Sequence, residues 1–249
     1  MTFLAAVRSL LAYAVVAVYT LLVGAPFILI AIITKKPRPL YMVGVFGVRI
    51  GLALTGIRWR TSGMEHVQRH RAAVYGINHS SNVEPPIIFC VLRELMPRLR
   101  VLYKAELRKL PIVVRAFDVA GFVPLERGNR DQSLPAIDMA AKALQDGNSF
   151  LIFPEGTRSR TGELLPFKKG GFIMAIRAQA PIVPVAIIGA RAAMRKGSPW
   201  IYPVVVSVRF GEPVETAGVA VEQRDQLVQR VRARVEAMLA QGPIAGAER

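Results

Sequence analysis

His79 is one of three histidines in the chain; it ends the apolar run of "YGINHSSNVEPP" (75–86), five residues before Glu84. A carboxylate that fixes the tautomer of an imidazole makes it a general base, able to take the proton of an alcohol that is otherwise a poor nucleophile. Three jobs use such a base: activating a serine of the protein, activating a hydroxyl of a substrate, or binding a metal. A serine nucleophile announces itself in a Gly-x-Ser-x-Gly elbow, and the chain has none. His66 and His70 have helical spacing but no third ligand nearby, so they are expected to be solvated, and no metal is expected. A substrate hydroxyl is the job that is left.

Cationic segments supply a second half to this chemistry. "FPEGTRSRTGE" (153–163) holds Gly156 for a sharp turn, Arg158 as a planar fork for phosphate, and Thr157 and Ser159 as hydroxyl donors. "VPLERGNRD" (123–131) brings Arg127 and Arg130, and "LPFKKGG" (165–171) brings Lys168 and Lys169 just before a helix start. Arg130 and Lys169 read as ordinary solvated charges; Arg127, Arg158 and Lys168 read as anion ligands. Cys90, the only cysteine, lies in "PPIIFCVL" and reads as a small buried hydrophobe.

These segments need a scaffold that brings them together. Apolar runs at 72–78, 100–104, 121–125, 149–153, 182–188 and 204–210 read as strands. Helical patterns fall near 85–95, 106–118, 132–146 and 170–179, and Leu227, Val231, Val235 and Leu239 mark an amphipathic helix over 222–240. The alternation predicts an α/β fold, a layered αβα domain on a largely parallel mixed sheet. Functional groups then gather on loops at the carboxyl ends of strands, where His79 falls. Glu84 is expected at the start of the next helix, whose first turn suits Pro85 and Pro86.

Residues 1–60 have another texture. No residue from Ser9 to Thr34 is charged, and as a helix that stretch is about 39 Å long against ~30 Å of bilayer hydrocarbon. Gly24 and Pro26 interrupt it, and "KKPRP" separates it from a second apolar run, 40–57, which contains Arg49, a costly residue at mid-bilayer. The reading is a hydrophobic helical membrane-anchoring region, as one span plus an interfacial helix or as a hairpin entering one leaflet, with "KKPRP" on the cytoplasmic side. The remaining residues, 61–249, form the second domain. The net charge of +16, from 33 Lys+Arg and 17 Asp+Glu over 249 residues, suits nucleic acid, anionic headgroups or phosphorylated molecules. With 8% aromatic residues and no recognised binding motif, nucleic acid is not expected as a partner.

"NHSSNVEPP", "GFVPLERGNR", "FPEGTRS" and "APIVPVAI" occur in the order and spacing of the four motifs of glycerolipid acyltransferases. Over about residues 60–215 the chain resembles bacterial 1-acyl-sn-glycerol-3-phosphate (lysophosphatidic acid) acyltransferases, and its N-terminal region resembles their membrane-anchoring helices. The resemblance implies acyl transfer from acyl-CoA or acyl carrier protein to a glycerol hydroxyl, with no cofactor, metal or acyl-enzyme intermediate, at a cytoplasmic or inner membrane. It implies His79 as base with Glu84 as its carboxylate. Arg127 and Glu155, Gly156, Thr157 and Arg158 would form the acceptor-phosphate site, and Pro184 would lie on the donor side. Glu84 replaces the family's usual Asp, and Pro124 its usual Phe. Rival readings are a same-family enzyme acting on another lyso-lipid, such as a lyso-ornithine lipid, and a catalytically silent membrane scaffold.

Overall fold

The structure, a computed structural model, describes residues 3–109, 111–126 and 130–245. It opens with α1 (Phe3–Tyr19) and α2 (Ala25–Thr34), which run on through a π-helical turn at Thr20–Gly24. Pro26 has no N–H for the helical ladder; the wider turn takes up the defect, with Ala25 N–H bonding Thr20 O. Together they form a 32-residue helix, Phe3–Thr34, long and apolar enough to cross a membrane. A left-handed Lys35 (φ 55°) ends it, and "KKPRP" turns the chain into α3 (Arg38–Thr55).

α3 folds back on α1 as a hairpin. At Gly47 a Cβ would come within 2.5 Å of the Tyr19 ring, so only glycine admits this approach. Tyr19 itself donates to Val43 O at 2.9 Å. The hairpin lies along the rest of the chain and is held at both ends. Ser9, fully buried, accepts from Ile201 N–H at 2.8 Å, and Tyr13 donates to Pro199 O. At the other end Tyr41 donates to Leu99 O and Ala120 O. Its outward face stays apolar and bare: Leu4, Leu11, Leu22, Leu29 and Ile33 are exposed.

The strands are β1 (Arg58–Ser62), β2 (Val74–Ile77), β3 (Leu99–Lys104), β4 (Val123–Leu125), β5 (Ser149–Ile152), β6 (Ile182–Ile188) and β7 (Val205–Phe210). Among the described residues they form one seven-stranded sheet, ordered β1-β7-β6-β2-β5-β3-β4. All neighbours are parallel except β6 and β7, so the sheet is the largely parallel mixed one expected. β2 and β5 are buried along their whole length, as central parallel strands are.

The boundary expected at 60/61 falls inside β1, a strand that the sequence reading did not include. Its Arg58, Arg60 and Thr61 are exposed on a sheet edge, where charge protects against further pairing and hides the apolar alternation. Pro124 sits on the opposite edge strand, where a missing N–H costs no ladder bond.

The helices are α4 (Glu84–Val91), α5 (Pro111–Val119), α6 (Arg130–Gln145), α7 (Gly170–Ala178), the short α8 (Ala190–Ala193) and α9 (Arg224–Ala240). They cover both faces of the sheet, each with its own cluster. Val74, Phe150, Phe172 and Ile182 pack with Leu227, Val231 and Val235 of α9 on one side. Tyr75, Ile77, Leu151 and Val185 pack with α4 and Leu52 of α3 on the other.

Candidate active site

β2 lies between β5 and β6, so the segments after β2 and β5 meet at the carboxyl edge of the sheet. His79 is fixed there from every side. Its N–H donates to Glu155 Oε1 at 2.5 Å, and its carbonyl accepts from Ser159 N–H at 2.7 Å. Its ring stacks on Phe153, with centroids 4.2 Å apart and planes 30° from parallel. Asn78, just before it, bonds both ways with the Ile187 backbone of β6, which fixes the neighbouring strand as well.

Glu84 is the first residue of α4, followed by Pro85 and Pro86, as expected. Its carboxylate is wholly buried, with Oε2 2.6 Å from His79 Nδ1. Ser80 supplies the other bonds, its N–H reaching Oε1 at 2.9 Å and its hydroxyl reaching the same oxygen at 2.7 Å. A carboxylate that only accepts selects, for the neutral imidazole, the tautomer with its proton on Nδ1 and its lone pair on Nε2. The imidazole is 16% exposed, and among the described residues Nε2 has no partner. Three donors thus converge on the Glu84 carboxylate: His79 Nδ1, the Ser80 N–H and the Ser80 hydroxyl.

Glu155 is buried too, and both of its oxygens are committed, one to His79 N–H and the other to Leu165 N–H at 2.9 Å. Burial pushes its carboxyl above the ordinary range, and the two N–H groups pull partly the other way. The structure therefore places Glu155 behind the histidine as a brace. Gly156 takes φ 69°, and the stem of Lys168 lies where its Cβ would be, about 2.9 Å away. A cavity of about 210 Å³ opens here, lined by Phe153, Pro154, Gly156, Lys168, Glu126 and Ser133 among others. It shares Phe153 with the imidazole and Lys168 with the turn.

The other residues singled out from the sequence are distributed unevenly. Arg158 is half-buried and forms no ion pair among the described residues. Thr157 is exposed, and its oxygen accepts from Lys196 Nζ at 3.0 Å. Ser159 is buried and accepts from Gly162 N–H, so it shapes the turn. Pro184 lies inside β6, paired with Gly76, in the sheet interior and away from the cavity. Arg127 lies outside the described residues. His66 sits 3.8 Å from Glu65, and among the described residues no group of ligating side chains could hold a metal ion.

Four contributors escaped the sequence reading: Asn78, Ser80, Phe153 and Lys196. The first two flank His79: Ser80 donates to the buried Glu84 carboxylate, and Asn78 bonds the Ile187 backbone. Phe153 opens the "FPEGTRS" segment. Lys196, in the basic run "RKG", reaches the Arg158 carbonyl at 2.9 Å through a contact far along the chain. A second groove, of about 310 Å³, runs between the hairpin and the domain past Asn82, Val83 and Pro86 of the histidine loop, with Tyr13, Val16 and Leu52 on the hairpin side.

Comparison with known proteins agrees with this architecture. The chain is 33% identical over 178 residues to the 1-acyl-sn-glycerol-3-phosphate acyltransferase of Limnanthes douglasii, covering 71% of this chain and 61% of that one. It is 29% identical over 224 residues to the human 1-acyl-sn-glycerol-3-phosphate acyltransferase beta, covering 87% and 79%. The chain spans 61% of the length of the Limnanthes douglasii relative and 52% of that of Cocos nucifera. The crystal structure of the 1-acyl-sn-glycerophosphate (LPA) acyltransferase PlsC from Thermotoga maritima superposes with a TM-score of 0.78 at 25% identity over 94% of each chain. The Acyltransferase family profile matches residues 58–188, from β1 through β6 and every segment around His79, and the chain belongs to that family.

Proposed function

We propose that this protein transfers a fatty acyl group from a thioester, acyl-CoA or acyl carrier protein, to the free hydroxyl of a lysophospholipid. The acceptor is 1-acyl-glycerol-3-phosphate and the product phosphatidic acid, as the names of its relatives suggest. The observation that carries the reading is the imidazole held by Glu84 with Nε2 unpartnered, beside a cavity that presents Lys168.

In this reading the acceptor phosphate lies on Lys168 and Arg158, and its hydroxyl faces Nε2. His79 takes the hydroxyl proton as the oxygen attacks the thioester carbonyl, and Glu84 stabilises the imidazolium that forms. When the tetrahedral intermediate collapses, the C–S bond breaks and the imidazolium returns the proton to the departing thiolate. The products are the ester and a free thiol, with no net proton change at the protein. The groove between hairpin and domain, which passes Asn82, Val83 and Pro86, is the proposed seat of an alkyl chain.

The hairpin is proposed to lie in one leaflet, its bare apolar face toward lipid and "KKPRP" among the headgroups on the cytoplasmic side. This is supported by the burial of Ala5, Ser9 and Ala12 against the domain, which leaves one side of α1 for the bilayer. The test is transfer to lysophosphatidic acid with CoA and carrier-protein donors side by side, in a panel that includes lyso-ornithine lipid. His79→Ala should lower turnover by about 10²–10⁴-fold while membrane binding persists. Undiminished turnover by that variant overturns the assignment.

A further inference from the structure

Away from the reacting groups, a third cavity of about 420 Å³ lies between α3 and the turn Arg93–Leu95 that follows α4. It shares no lining residue with the two cavities near His79. Arg38 and Arg49 flank it from α3, Arg93 closes it from the turn, and Met42, Val45 and Phe46 form its floor. Positions 38, 42, 45 and 49 fall on one helical face, so the cationic and apolar groups form a single stripe.

The three guanidinium groups are exposed and have no ion pair or hydrogen bond among the described residues. Glu94, the acid of the lining, is already paired with Arg69 at 2.9 Å, so the cavity's positive charge is uncompensated. Arg49 and Arg93 converge: both lie close enough to Cys90 to favour its thiolate, although burial outweighs them and pushes that thiol up to about 11.

Neither water nor hydrocarbon suits such a stripe. Met42 is 66% and Phe46 60% exposed, a burden in water, while Arg49 on the same face is costly in the bilayer core. A ligand that answers both has a phosphate for the guanidinium forks and an alkyl chain for the floor. We infer that the groove between α3 and the Arg93 turn holds one anionic phospholipid of the surrounding leaflet, as a binding site separate from the substrate site. Bound there, the lipid ties the hairpin to α4, whose first residue orients His79. The site does not require the proposed acyl transfer, and it is tested without turnover.

The full chain, purified in neutral detergent, is titrated with phosphatidylglycerol or phosphatidylcholine and the retained lipid is counted by native mass spectrometry. One phosphatidylglycerol per chain is expected at saturation, at least tenfold tighter than phosphatidylcholine and not displaced by excess inorganic phosphate. Arg49→Gln/Arg93→Gln should weaken retention at least tenfold, and the single Arg93→Gln on the exposed turn should weaken it severalfold without affecting folding. Lys35→Gln/Lys36→Gln, which removes the same charge beside the groove, should leave retention unchanged. Equal retention of the two lipids, or an equal loss in the Lys35/Lys36 variant, overturns the site in favour of diffuse attraction. Displacement by inorganic phosphate would mark an anion pocket with no lipid selectivity and also overturns it.

Discussion

Glu84 and Glu155 are both buried, yet they hold the histidine in different ways. Glu84 acts on the ring and sets its tautomer; Glu155 acts on the backbone and sets where the ring starts. Glu155→Gln offers one oxygen to two N–H groups that each need an acceptor, leaving one unpaired at about 1–3 kcal/mol. Turnover should fall while the KM for the acceptor stays nearly constant, since no oxygen of Glu155 is free for a substrate; a rise in KM alone would make it a phosphate-site residue instead. The pH dependence has a definite sign. The folded chain holds a proton on Glu155 above the ordinary 4.5, so this contribution to stability is complete below that value and is lost as pH rises through the folded one. Thermal unfolding across this window should show the decline in the natural chain and a flatter profile in Glu155→Gln.

At the scale of elements, the hairpin depends on one close approach. Gly47→Ala drives a methyl into the Tyr19 ring, which cannot swing aside without losing its bond to Val43 O and its contact with Phe46. A destabilisation of about 1–3 kcal/mol is expected, largely relieved by a second change, Tyr19→Ala, in a double-mutant cycle read by thermal unfolding. Additive losses would mean that the ring is free to move. The strands at the centre were legible because buried parallel strands are near-continuous apolar runs, and α9 because its apolar positions recur at helical spacing. β1 was not, since an edge strand with Arg58 and Arg60 exposed carries no clear period. The His79–Glu84 pair was legible because both members fall in one short segment, between the end of β2 and the first turn of α4. Glu155's bracing role was not, for a backbone N–H acceptor leaves no mark on residue type.

At the scale of the molecule, the hairpin and the domain are one body. Ser9 and Ile201 stand 192 positions apart and share a buried hydrogen bond, a pairing no local pattern announces. Removal of residues 1–57 would bare the Leu52-side cluster and the groove beside the histidine loop, so the truncated chain is expected to aggregate when expressed alone. A monodisperse, folded product by size exclusion and circular dichroism would contradict that dependence.

Because the hairpin is pinned at both ends, the sheet edge that carries His79 cannot swivel relative to the hairpin. Under the proposed function an acceptor arrives by lateral diffusion, and what the protein samples is the mole fraction of lyso-lipid in the film, whatever its amount per volume of buffer. Adding inert lipid at constant total acceptor should slow the reaction in proportion to that two-dimensional dilution.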